Sequence, residues 1–448
     1  MKYFSTISLL LLITFDLFAQ TEIQGGIYKD STLTKEKSPY HVVGDIVVFP
    51  EYNLTIEPGV EIIFQDDYFL EIRGGLVANG TSEDRIIFTT TEHDILIDSL
   101  PFMRFDYESE KYGLTVDYPT ATIEISYCNF SKFKKALSIY RVNNDVTISN
   151  CTFNKNNYGV YYTYWNNIDV ENCLFEFNSV GGIHIRNVRN SEFINNIFGL
   201  KYPQNVYNSQ FVDNSIGIFN ISGGLVKECE LRQNIVALVN SWSDAEMKDN
   251  RVFNNQIGVR FFHLSQVVAR GRISSNQFCN NSEFNIENIG PIDMPLNGNC
   301  WCSSDSTTIE NKIYDGYNDI ASGLVNYDIY NESCSIVMKS VTKFIVENDD
   351  SETDKDDSAT DINTGLTLSG ASNLEVFPNP FNDVINVSLK NTSILTVRLY
   401  DLNGKVILNQ VFQEGDHFLV NTRELKSGLY FMELNDGKEV IRKKLMKQ

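Results

Sequence analysis

The sequence is poor in positive charge and has no long apolar run after its amino terminus. Its 448 residues include 37 Lys and Arg against 58 Asp and Glu, which gives a net charge of −21. A nucleic-acid duplex is therefore not an expected partner, because neutralising its phosphates requires a basic surface. No later segment reaches the roughly 20 apolar residues that a membrane-spanning helix needs. We expect a monomer with no nucleic-acid partner and no transmembrane segment.

Residues that bind metals or act as nucleophiles are also scarce. The chain has only 5 His, and it lacks the Cys-x-x-Cys pairs and His clusters of structural zinc sites. Serine-nucleophile and phosphate-loop motifs are absent as well. The acidic run at 347–361 could bind calcium weakly, but it lacks the Gly and the terminal Glu of a calcium-binding loop. The sequence therefore predicts no cofactor, no metal site and no assigned catalytic residue, with weak calcium binding as the alternative.

The sequence does contain a short motif that recurs between Ile125 and Ile286 at intervals of 18 to 26 residues; residues 148–153 (Ile-Ser-Asn-Cys-Thr-Phe) are one copy. The fourth residue of the motif, for example Cys151, is here called the shared position. An asparagine lies five residues after the shared position, and Gly or Ala usually lies eight residues after it. A period of this length is typical of a solenoid. The shared position is occupied by Cys128, Cys151, Cys173, Ser191, Ser209, Cys229, Asn250 and Asn276.

Between these markers apolar residues alternate with polar ones, as in Ile183-His184-Ile185-Arg186, which is the periodicity of β-strands. Coils of about twenty residues made of short strands and tight turns predict a parallel β-helix with three strands per turn. Equivalent side chains would then stack about 4.8 Å apart on successive coils. We expect the recurrent asparagine to bridge the coils, and the Gly or Ala to permit a sharp bend or a positive φ.

The repeats resemble the right-handed parallel β-helix of the pectin-lyase-like superfamily. Residues 54–60 (Leu-Thr-Ile-Glu-Pro-Gly-Val) are similar to the opening coils of such proteins, and residues 299–302 (Asn-Cys-Trp-Cys) to their closing Asn-x-Trp-Gly phrase. Cys302 stands where the family has Gly. The resemblance implies a short amphipathic helix after this phrase, in which Ile309, Ile313 and Tyr317 plug the last coil. The predicted fold is all-β, a right-handed single-stranded parallel β-helix followed by a small C-terminal β-sandwich.

The chain divides into four predicted parts. Residues 1–19 combine a short basic start with an apolar stretch and read as a secretory signal peptide. Residues 20–337 form the β-helix, with a long excursion at 92–119 and a closing cap at 296–334. Residues 338–372 are an acidic linker that we expect to be disordered. Residues 373–448 are a second unit, in which short alternating strands and Asn-Gly or Asp-Gly dipeptides indicate hairpins.

This last unit resembles the type A sorting domain of the type IX secretion system. The resemblance implies that the secretion machinery is a partner and that the protein crosses the outer membrane. It would then be released or attached to the outer-membrane surface. The residues that match the sorting signal are Phe377, Pro378, Asn379, Pro380, Gly404, Gly428 and Tyr430.

The 8 cysteines of an exported chain suggest disulfides. Those at the shared position would point inward on consecutive coils, and a spacing of about 4.8 Å is too long for a relaxed bridge between them. We therefore expect Cys128, Cys151 and Cys173 to be buried free thiols. In the cap we expect one bridge, between Cys334 and either Cys300 or Cys302.

Differences in coil length fall just after the strand that follows the Gly or Ala, so the longer loops gather beside that strand. In sugar-degrading relatives this face carries the substrate groove. Aromatic and cationic side chains on it could bind an acidic polysaccharide by stacking and ion pairing, although ordinary solvated strand residues would give the same pattern. The candidate binding residues are Tyr161, His184, Arg186, Lys201, Phe219, Arg260 and Phe262.

The Asn-Thr-Asp and Gly-His-Gly phrases of polygalacturonases and the calcium-binding Asp set of pectate lyases are missing from this strand. We therefore expect an exported, non-catalytic module that binds a glycan or another extracellular partner. The alternatives are a polysaccharide lyase or glycoside hydrolase acting on acidic polysaccharide, and an inert structural spacer. Two acids, or Lys, Arg and a carboxylate, gathered at the floor of a cleft would favour the enzyme.

Overall fold

The computed structural model describes residues 21–91, 112–140, 142–162, 168–241, 245–262, 273–327, 374–377, 381, 383–400, 406–426, 428–435 and 440–447. The predicted signal peptide and acidic linker lie outside these residues, as do positions 92–111 of the predicted excursion and 328–334 of the predicted cap. The described chain falls into two units, a β-helix that extends to residue 327 and a C-terminal unit that begins at residue 374.

The β-helix unit consists of parallel strands arranged as three faces, and each regular coil adds one strand to each face. The first face follows the shared position of the repeat, the second follows the recurrent asparagine, and the third leads into the next shared position. This architecture confirms the all-β fold and the three strands per turn predicted from the sequence. The bounds of the strands, face by face, are as follows.

The first face contains Glu61–Phe64, Ile86–Thr90, Cys128–Ser131, Thr152–Asn154, Leu174–Glu176, Glu192–Ile194, Gln210–Val212, Glu230–Arg232, Arg251–Phe253 and Gln277–Cys279. The second contains Phe69–Ile72, Gly113–Asp117, Lys135–Tyr140, Tyr158–Tyr162, Val180–Ile183, Phe198–Lys201, Ile216–Phe219, Val236–Asn240, Ile257–Phe261, Phe284–Asn288 and Ile313–Tyr314. The third contains Ser31–Leu33, Asn53–Ile56, Gly75–Asn79, Thr122–Ser126, Val146–Ser149, Ile168–Glu171, Asn187–Arg189, Asn205–Tyr207, Leu225–Lys227, Glu246–Lys248 and Ile273–Ser274. Thr21–Ile27 and Tyr40–Val48 are longer and serve both the first and second faces.

The inward side chains stack from coil to coil at the spacing of the backbone ladder. A column of nearly parallel phenylalanine rings runs through the interior with centroids 4.7–5.0 Å apart, which matches the distance between neighbouring strands. The column consists of Phe130, Phe153, Phe175, Phe193 and Phe211. The aliphatic residues that follow the Gly or Ala, such as Val160 and Leu200, are fully buried beside it. Strand pairing and core packing therefore impose the same repeat.

The recurrent asparagines form a buried hydrogen-bonded ladder, as predicted. The backbone N–H of Asn178 donates to Oδ1 of Asn196 at 2.9 Å, and its Nδ2 donates to the same oxygen at 3.0 Å and to the carbonyl oxygen of Phe153 at 2.9 Å. Each amide thereby satisfies turn backbone that would otherwise be buried unpaired. The ladder consists of Asn156, Asn178, Asn196, Asn214, Asn234, Asn255 and Asn281.

The recurrent glycines are required by close packing, and the positive φ expected for them is wrong. A Cβ added to Gly181 would lie 2.5 Å from the carbonyl oxygen of Gly199 and 3.0 Å from the ring of Phe193. Positive φ occurs instead at the residue before each ladder asparagine, for example 56° at Lys155 and at Asn195. Left-handed residues therefore turn the chain at the corner between the first and second faces.

The shared position forms a second buried ladder. Cys128, Cys151, Cys173 and Cys229 are free and buried, which confirms the prediction for the first three. The backbone N–H of Cys173 donates to Ser191 Oγ at 3.1 Å in the next coil, and burial raises the pKa of the Cys229 thiol to about 12. Cys, Ser and Asn replace one another here because each presents an acceptor to the N–H of the preceding coil.

The end of the β-helix differs from the predicted cap. The α-helix is short, Ser306–Glu310, and only Ile309 is buried in it. Ile313 lies in a strand that pairs with Phe284–Asn288, and Tyr317 is 89% exposed. The predicted spacing of four was therefore misleading, because the chain leaves the helix before Ile313. A parallel pair, Met294–Pro295 with Val325–Asn326, and a 3₁₀ turn near the other end, Lys35–Lys37, complete the elements.

Two further expectations are corrected by the structure. The predicted excursion ends too late, because Gly113–Asp117 is a strand of the second face that pairs with Phe69–Ile72 and Lys135–Tyr140. The alternative of a bridge between Cys302 and Cys334 is wrong, because Cys302 is bonded to Cys279 of the preceding coil. Cys300 is also disulfide-bonded, and the alternative of a bridge between Cys300 and Cys334 stays a prediction, since Cys334 lies outside the described residues. Cys302 has a φ of 55°, a left-handed conformation that glycine adopts at no steric cost.

The C-terminal unit is an antiparallel β structure, as expected. Val384–Tyr400 pairs along its length with Val406–Asn421, while its first part pairs with Leu374–Phe377 and its last part with Gly428–Asn435. Val440–Lys447 completes the sheet beside Gly428–Asn435. Its separate core includes the buried side chains of Phe381, Ile385, Leu395, Phe418 and Met432. Within the described ranges of both units, no helix has the length and apolar content needed to cross a bilayer.

We predict that Asn196→Ala lowers the free energy of unfolding by about 3–5 kcal/mol, because it removes the acceptor of the backbone N–H and of one Nδ2 hydrogen of Asn178 and the amide donor to the buried carbonyl oxygen of Phe175. Denaturant-induced unfolding would measure this loss. Asn187→Ala is the matched control: Asn187 also bonds asparagine to asparagine between coils, but it is only partly buried on the third face, and its loss should cost less than about 1 kcal/mol. Equal effects of the two substitutions would contradict the buried-ladder account.

We predict that Cys229→Ser flattens the alkaline part of the stability profile. Because burial raises the pKa of Cys229 to about 12, its contribution is complete below the ordinary thiol value of about 8.5 and is lost as the pH rises towards 12. Serine fits the site, since Ser191 and Ser209 occupy it in other coils. Relative to the variant, the native protein should lose up to about 1.4 kcal/mol per pH unit above pH 9. Parallel unfolding profiles from pH 8 to 10 would contradict the assignment.

Candidate functional site

The outward side chains of the second face form a column along the rod. Strand register places Glu71, Thr115, Ser138 and Tyr161 opposite one another on consecutive coils. Further along the rod the same column continues through Lys201, Phe219, Val239, Arg260 and Glu287. Four of the predicted binding residues, Tyr161, Lys201, Phe219 and Arg260, therefore lie on one line. Phe262 follows directly after the strand Ile257–Phe261 and is half-buried.

The other two predicted residues do not lie in this column. His184 occupies the corner after the second face with a φ of 56°, as do Tyr202 and Asn220 in the next coils, at 52° and 53°. Its backbone N–H donates to the carbonyl oxygen of Lys201, and its ring contacts the carbonyl oxygen of Tyr162 through Nδ1 at 3.0 Å. Burial lowers the pKa of His184, and the nearby charge of Lys201 acts in the same direction. The ring is therefore neutral at neutral pH.

Two of the predicted cations are engaged in ion pairs. Arg186 lies at the edge of the third face, where its Nε donates to Asp169 at 2.8 Å and its guanidinium also reaches Asp145 at 3.3 Å. Burial acts to raise the pKa of Asp169, but the hydrogen bonds that its carboxylate accepts from Arg186 and Asn187 outweigh this effect and lower the pKa. Arg260 pairs with Glu287 on the next coil of the second face. Neither arginine is positioned as an unpaired docking point for an anion.

Lys201 is the centre of an aromatic group, here called the phenylalanine patch (Phe198, Lys201, Tyr202 and Phe219). Its Nζ lies 4.8 Å from the ring centroid of Phe198 and 5.8 Å from that of Phe219. Phe219 packs edge-on against Phe198 and Tyr202, in both cases at 5.7 Å. Burial lowers the pKa of Lys201. The patch continues into apolar outward residues of the following coils, including Val236, Val239 and Ile257.

A second aromatic group, which sequence reasoning found only in part, lies nearer the start of the rod. This tyrosine patch comprises Tyr112, Lys135, Tyr158 and Tyr161. The Nζ of Lys135 lies 4.4 Å from the ring centroid of Tyr161 and 5.8 Å from that of Tyr112. Tyr158 packs edge-on against Tyr161 at 5.1 Å. Lys135 and Tyr158 occupy equivalent positions one coil apart, a relation that the repeat pattern already contained.

Polar groups continue from the tyrosine patch towards the start of the rod. Arg73 donates to Glu71 at 2.8 Å, and this hydrogen bond raises the pKa of Arg73, to which the charge of Asp117 adds. Tyr140 is the register neighbour of Asp117. Burial raises the pKa of Tyr140, with the Ser138 hydroxyl opposing and Asp117 reinforcing the rise. The sequence analysis missed this group because Gly113–Asp117 was assigned to the excursion.

The described residues contain no group of three or more His, Cys, Asp or Glu side chains arranged to hold a metal ion. Of the residues that match the sorting signal, Phe377 ends a strand and Gly428 begins another. Tyr430 is buried, and its hydroxyl donates to the carbonyl oxygen of Lys426 at 2.6 Å. Pro378, Asn379, Pro380 and Gly404 lie outside the described residues.

The stacked parallel coils and the buried asparagine ladder define a β-solenoid that carries a line of aromatic side chains on one outer face. The chain belongs to the family described as right handed beta helix region, whose model matches residues 45–198 and 139–311, together more than half of the chain. The model of the secretion system C-terminal sorting domain matches residues 375–448. This sorting tail marks the protein for the type IX secretion system and indicates a secreted or cell-surface protein.

Two curated proteins are similar to short parts of the chain. Protein bark beetle of Drosophila melanogaster is 39% identical over 88 residues, which is 19% of this chain and 3% of that protein. An endo-acting ulvan lyase of Formosa agariphila is 36% identical over 66 residues, which is 15% of this chain and 13% of the lyase. The matched stretches therefore span only a small fraction of these relatives.

We predict that His184→Asn removes an acid-sensitive contribution to stability. A lowered pKa in the folded state means that this contribution is present above the ordinary value of about 6.5 and is lost as the pH falls. Asparagine suits the site, because Asn220 occupies the equivalent corner with nearly the same φ. Unfolding measured between pH 7.5 and pH 5 should show a steeper loss in the native protein than in the variant. Identical profiles, or a His184 titration by NMR at or above the ordinary value, would refute the account.

Proposed function

We propose that this chain is an exported carbohydrate-binding protein that holds an extracellular glycan along the second face of its β-helix. The observation that carries the proposal is the alignment of the tyrosine and phenylalanine patches in one outward column. Both patches combine aromatic rings with a lysine within 4.4–4.8 Å of a ring centroid. Aromatic faces with a few polar groups are the usual surfaces for ligands that have an apolar side and hydroxyl groups.

The spacing of the column supports binding of a chain, not of a single small molecule. Ser138, beside the tyrosine patch, and Phe219 in the phenylalanine patch are separated by four coils, or about 19 Å at the strand spacing of 4.8 Å. The coils between them hold the rings at fixed heights, because the interior ladders lock every coil to the next. A surface that is already rigid loses little conformational entropy on binding. An oligosaccharide of several sugars is long enough to contact both patches.

Sorting by the type IX system supports the extracellular setting of this activity. A glycan at the surface or outside the cell is accessible to a β-helix exported in this way. The overall charge of −21, together with the ion pairing of Arg186 and Arg260, gives less support to a strongly anionic polysaccharide than the sequence pattern suggested. The lysines of the two patches lie against aromatic rings of the same face.

Cleavage of the bound glycan is a second candidate function. Glu71, Arg73 and Asp117 lie together on this face, and carboxylates beside cations can supply the proton transfers that hydrolysis or elimination requires. The similarity to an endo-acting ulvan lyase, although it covers 13% of that protein, adds to this candidate. The full-length chain incubated with acidic polysaccharides would release unsaturated or reducing ends if it cleaves them.

We predict that Tyr158→Ala and Phe219→Ala each weaken glycan binding by about tenfold, because each removes a ring worth roughly 1–1.5 kcal/mol of contact. A glycan array with the full-length protein would identify a ligand, and titration calorimetry would then measure the two variants. Tyr207→Ala serves as the control, because Tyr207 packs under Arg189 on the third face. Failure of the native protein to bind any glycan would refute the proposal, as would an equal loss of affinity in the control.

A further inference from the structure

We propose that the exposed ring of Tyr28 is a stacking subsite for a sugar at the start of the β-helix, and that it extends the glycan-binding line to the first coil. This inference rests on the proposed glycan binding and adds to it a position and the chemistry of the ligand there, a pyranose ring that presents its apolar face. It starts from two stacked rings outside the core. The ring centroids of Tyr28 and Phe49 lie 4.3 Å apart, with 18° between their planes.

The ring of Tyr28 is held in place by its neighbours. Phe49 lies between it and the guanidinium group of Arg73, whose Cζ is 5.6 Å from the Phe49 centroid and which donates to Glu71 at 2.8 Å. The tyrosine ring also lies over Gly26, where an added Cβ would be 2.4 Å from the ring. A ring that is already fixed loses little conformational entropy when a ligand stacks on it.

Folding leaves one side of this ring unused. Tyr28 is 63% exposed, whereas the phenylalanine rings that stack in the interior are buried. Its other ring contact, in the part of the chain that the structure describes, is only the one with Phe49. An aromatic side chain with one face packed and the other in water is suited to a ligand that is apolar on one side and polar on the other.

Strand register connects Tyr28 with the proposed binding line. Continued by one residue past the paired strands, the register places in one column Tyr28, Phe49, Arg73, Asp117 and Tyr140. Tyr140 in turn contacts Tyr161 of the tyrosine patch, with ring centroids 6.2 Å apart. The aromatic line of the second face therefore continues to the first coil. Tyr28 and Tyr161 are five coils apart, or about 24 Å at the strand spacing of about 4.8 Å.

The surroundings of Tyr28 favour a sugar over a protein partner. Gln24, Lys29 and Asp30 beside it are exposed and polar, so the apolar area is little more than that of one ring. A stable protein interface buries about 800 Å² on each partner, several times the roughly 150–250 Å² of an aromatic side chain. A pyranose ring matches this surface, because it offers C–H groups to the tyrosine and hydroxyl groups to the polar residues around it.

The geometry also predicts how the contribution of Tyr28 depends on the length of the ligand. A sugar unit of an extended glycan is about as long as one coil is high, about 4.8 Å. A trisaccharide bound at the tyrosine patch therefore does not reach Tyr28, about 24 Å away, whereas an octasaccharide does. Only the longer ligand should gain affinity from this ring.

The test measures the binding of tri- and octasaccharides from xylan, β-1,4-glucan and alginate to the full-length protein. Tyr28→Ala should weaken octasaccharide binding by about fivefold and leave trisaccharide binding unchanged. Gly26→Ala keeps the phenol but displaces its ring, and it should cause a similar loss. Tyr28→Phe keeps the ring and should bind as the native protein does. Tyr317→Ala removes another exposed tyrosine, at the opposite end of the β-helix, and is the matched control that should change neither affinity.

The outcomes separate the subsite from the wider function. If the native protein binds no glycan, the proposed function fails and the subsite fails with it. If Tyr158→Ala weakens octasaccharide binding while Tyr28→Ala and Gly26→Ala do not, glycan binding stands and the subsite is refuted. An equal loss for both ligand lengths would also refute it, because it would indicate a general effect on the fold. Sedimentation velocity tests the other occupant: a native dimer that Tyr28→Ala converts to a monomer would show that the ring serves a second copy of the chain and would overturn the proposal.

Discussion

The structure depends on hydrogen bonds that pass from each coil to the next at buried positions. A parallel strand pair satisfies the backbone within a face, but the corners between faces leave N–H and C=O groups inside the rod. The asparagine ladder meets this need at one corner and the Cys, Ser and Asn ladder at another, with N–H to side-chain distances of 2.9–3.1 Å where oxygen accepts. Because each ladder side chain accepts hydrogen bonds from the neighbouring coil, a substitution in one coil also leaves a buried donor of its neighbour unpaired and so lowers stability.

This constraint divides the sequence into fixed and variable positions. The first corner admits only asparagine in seven coils, since its amide must accept twice and donate twice. The second corner accepts thiol, hydroxyl or amide, because a single acceptor is enough there. Outward positions of the same strands carry no such requirement. Outward side chains of the second face can therefore be exchanged without loss of the fold, and successive coils place them at regular intervals along the β-helix.

The sequence predicted the architecture well because its signals repeat. The shared position, the asparagine and the small residue each recur, so that an error in one coil is corrected by the others. Predictions that rested on a single occurrence were less accurate. Ile313 and Tyr317 matched a helical spacing by coincidence. The disulfide between Cys302 and Cys279 joins two neighbouring coils, and the sequence gives no repeated spacing from which this pairing could be predicted. Gly113–Asp117 was missed because it is flanked by a stretch with no repeat.

The candidate site was harder to predict than the fold for a related reason. Which way a side chain points depends on where a strand ends, and a shift of one residue moves it to another face. His184 and Arg186 lie two residues apart in a pattern that continues the alternation of the strand, yet the left-handed turn at His184 places Arg186 at the third face with Asp169.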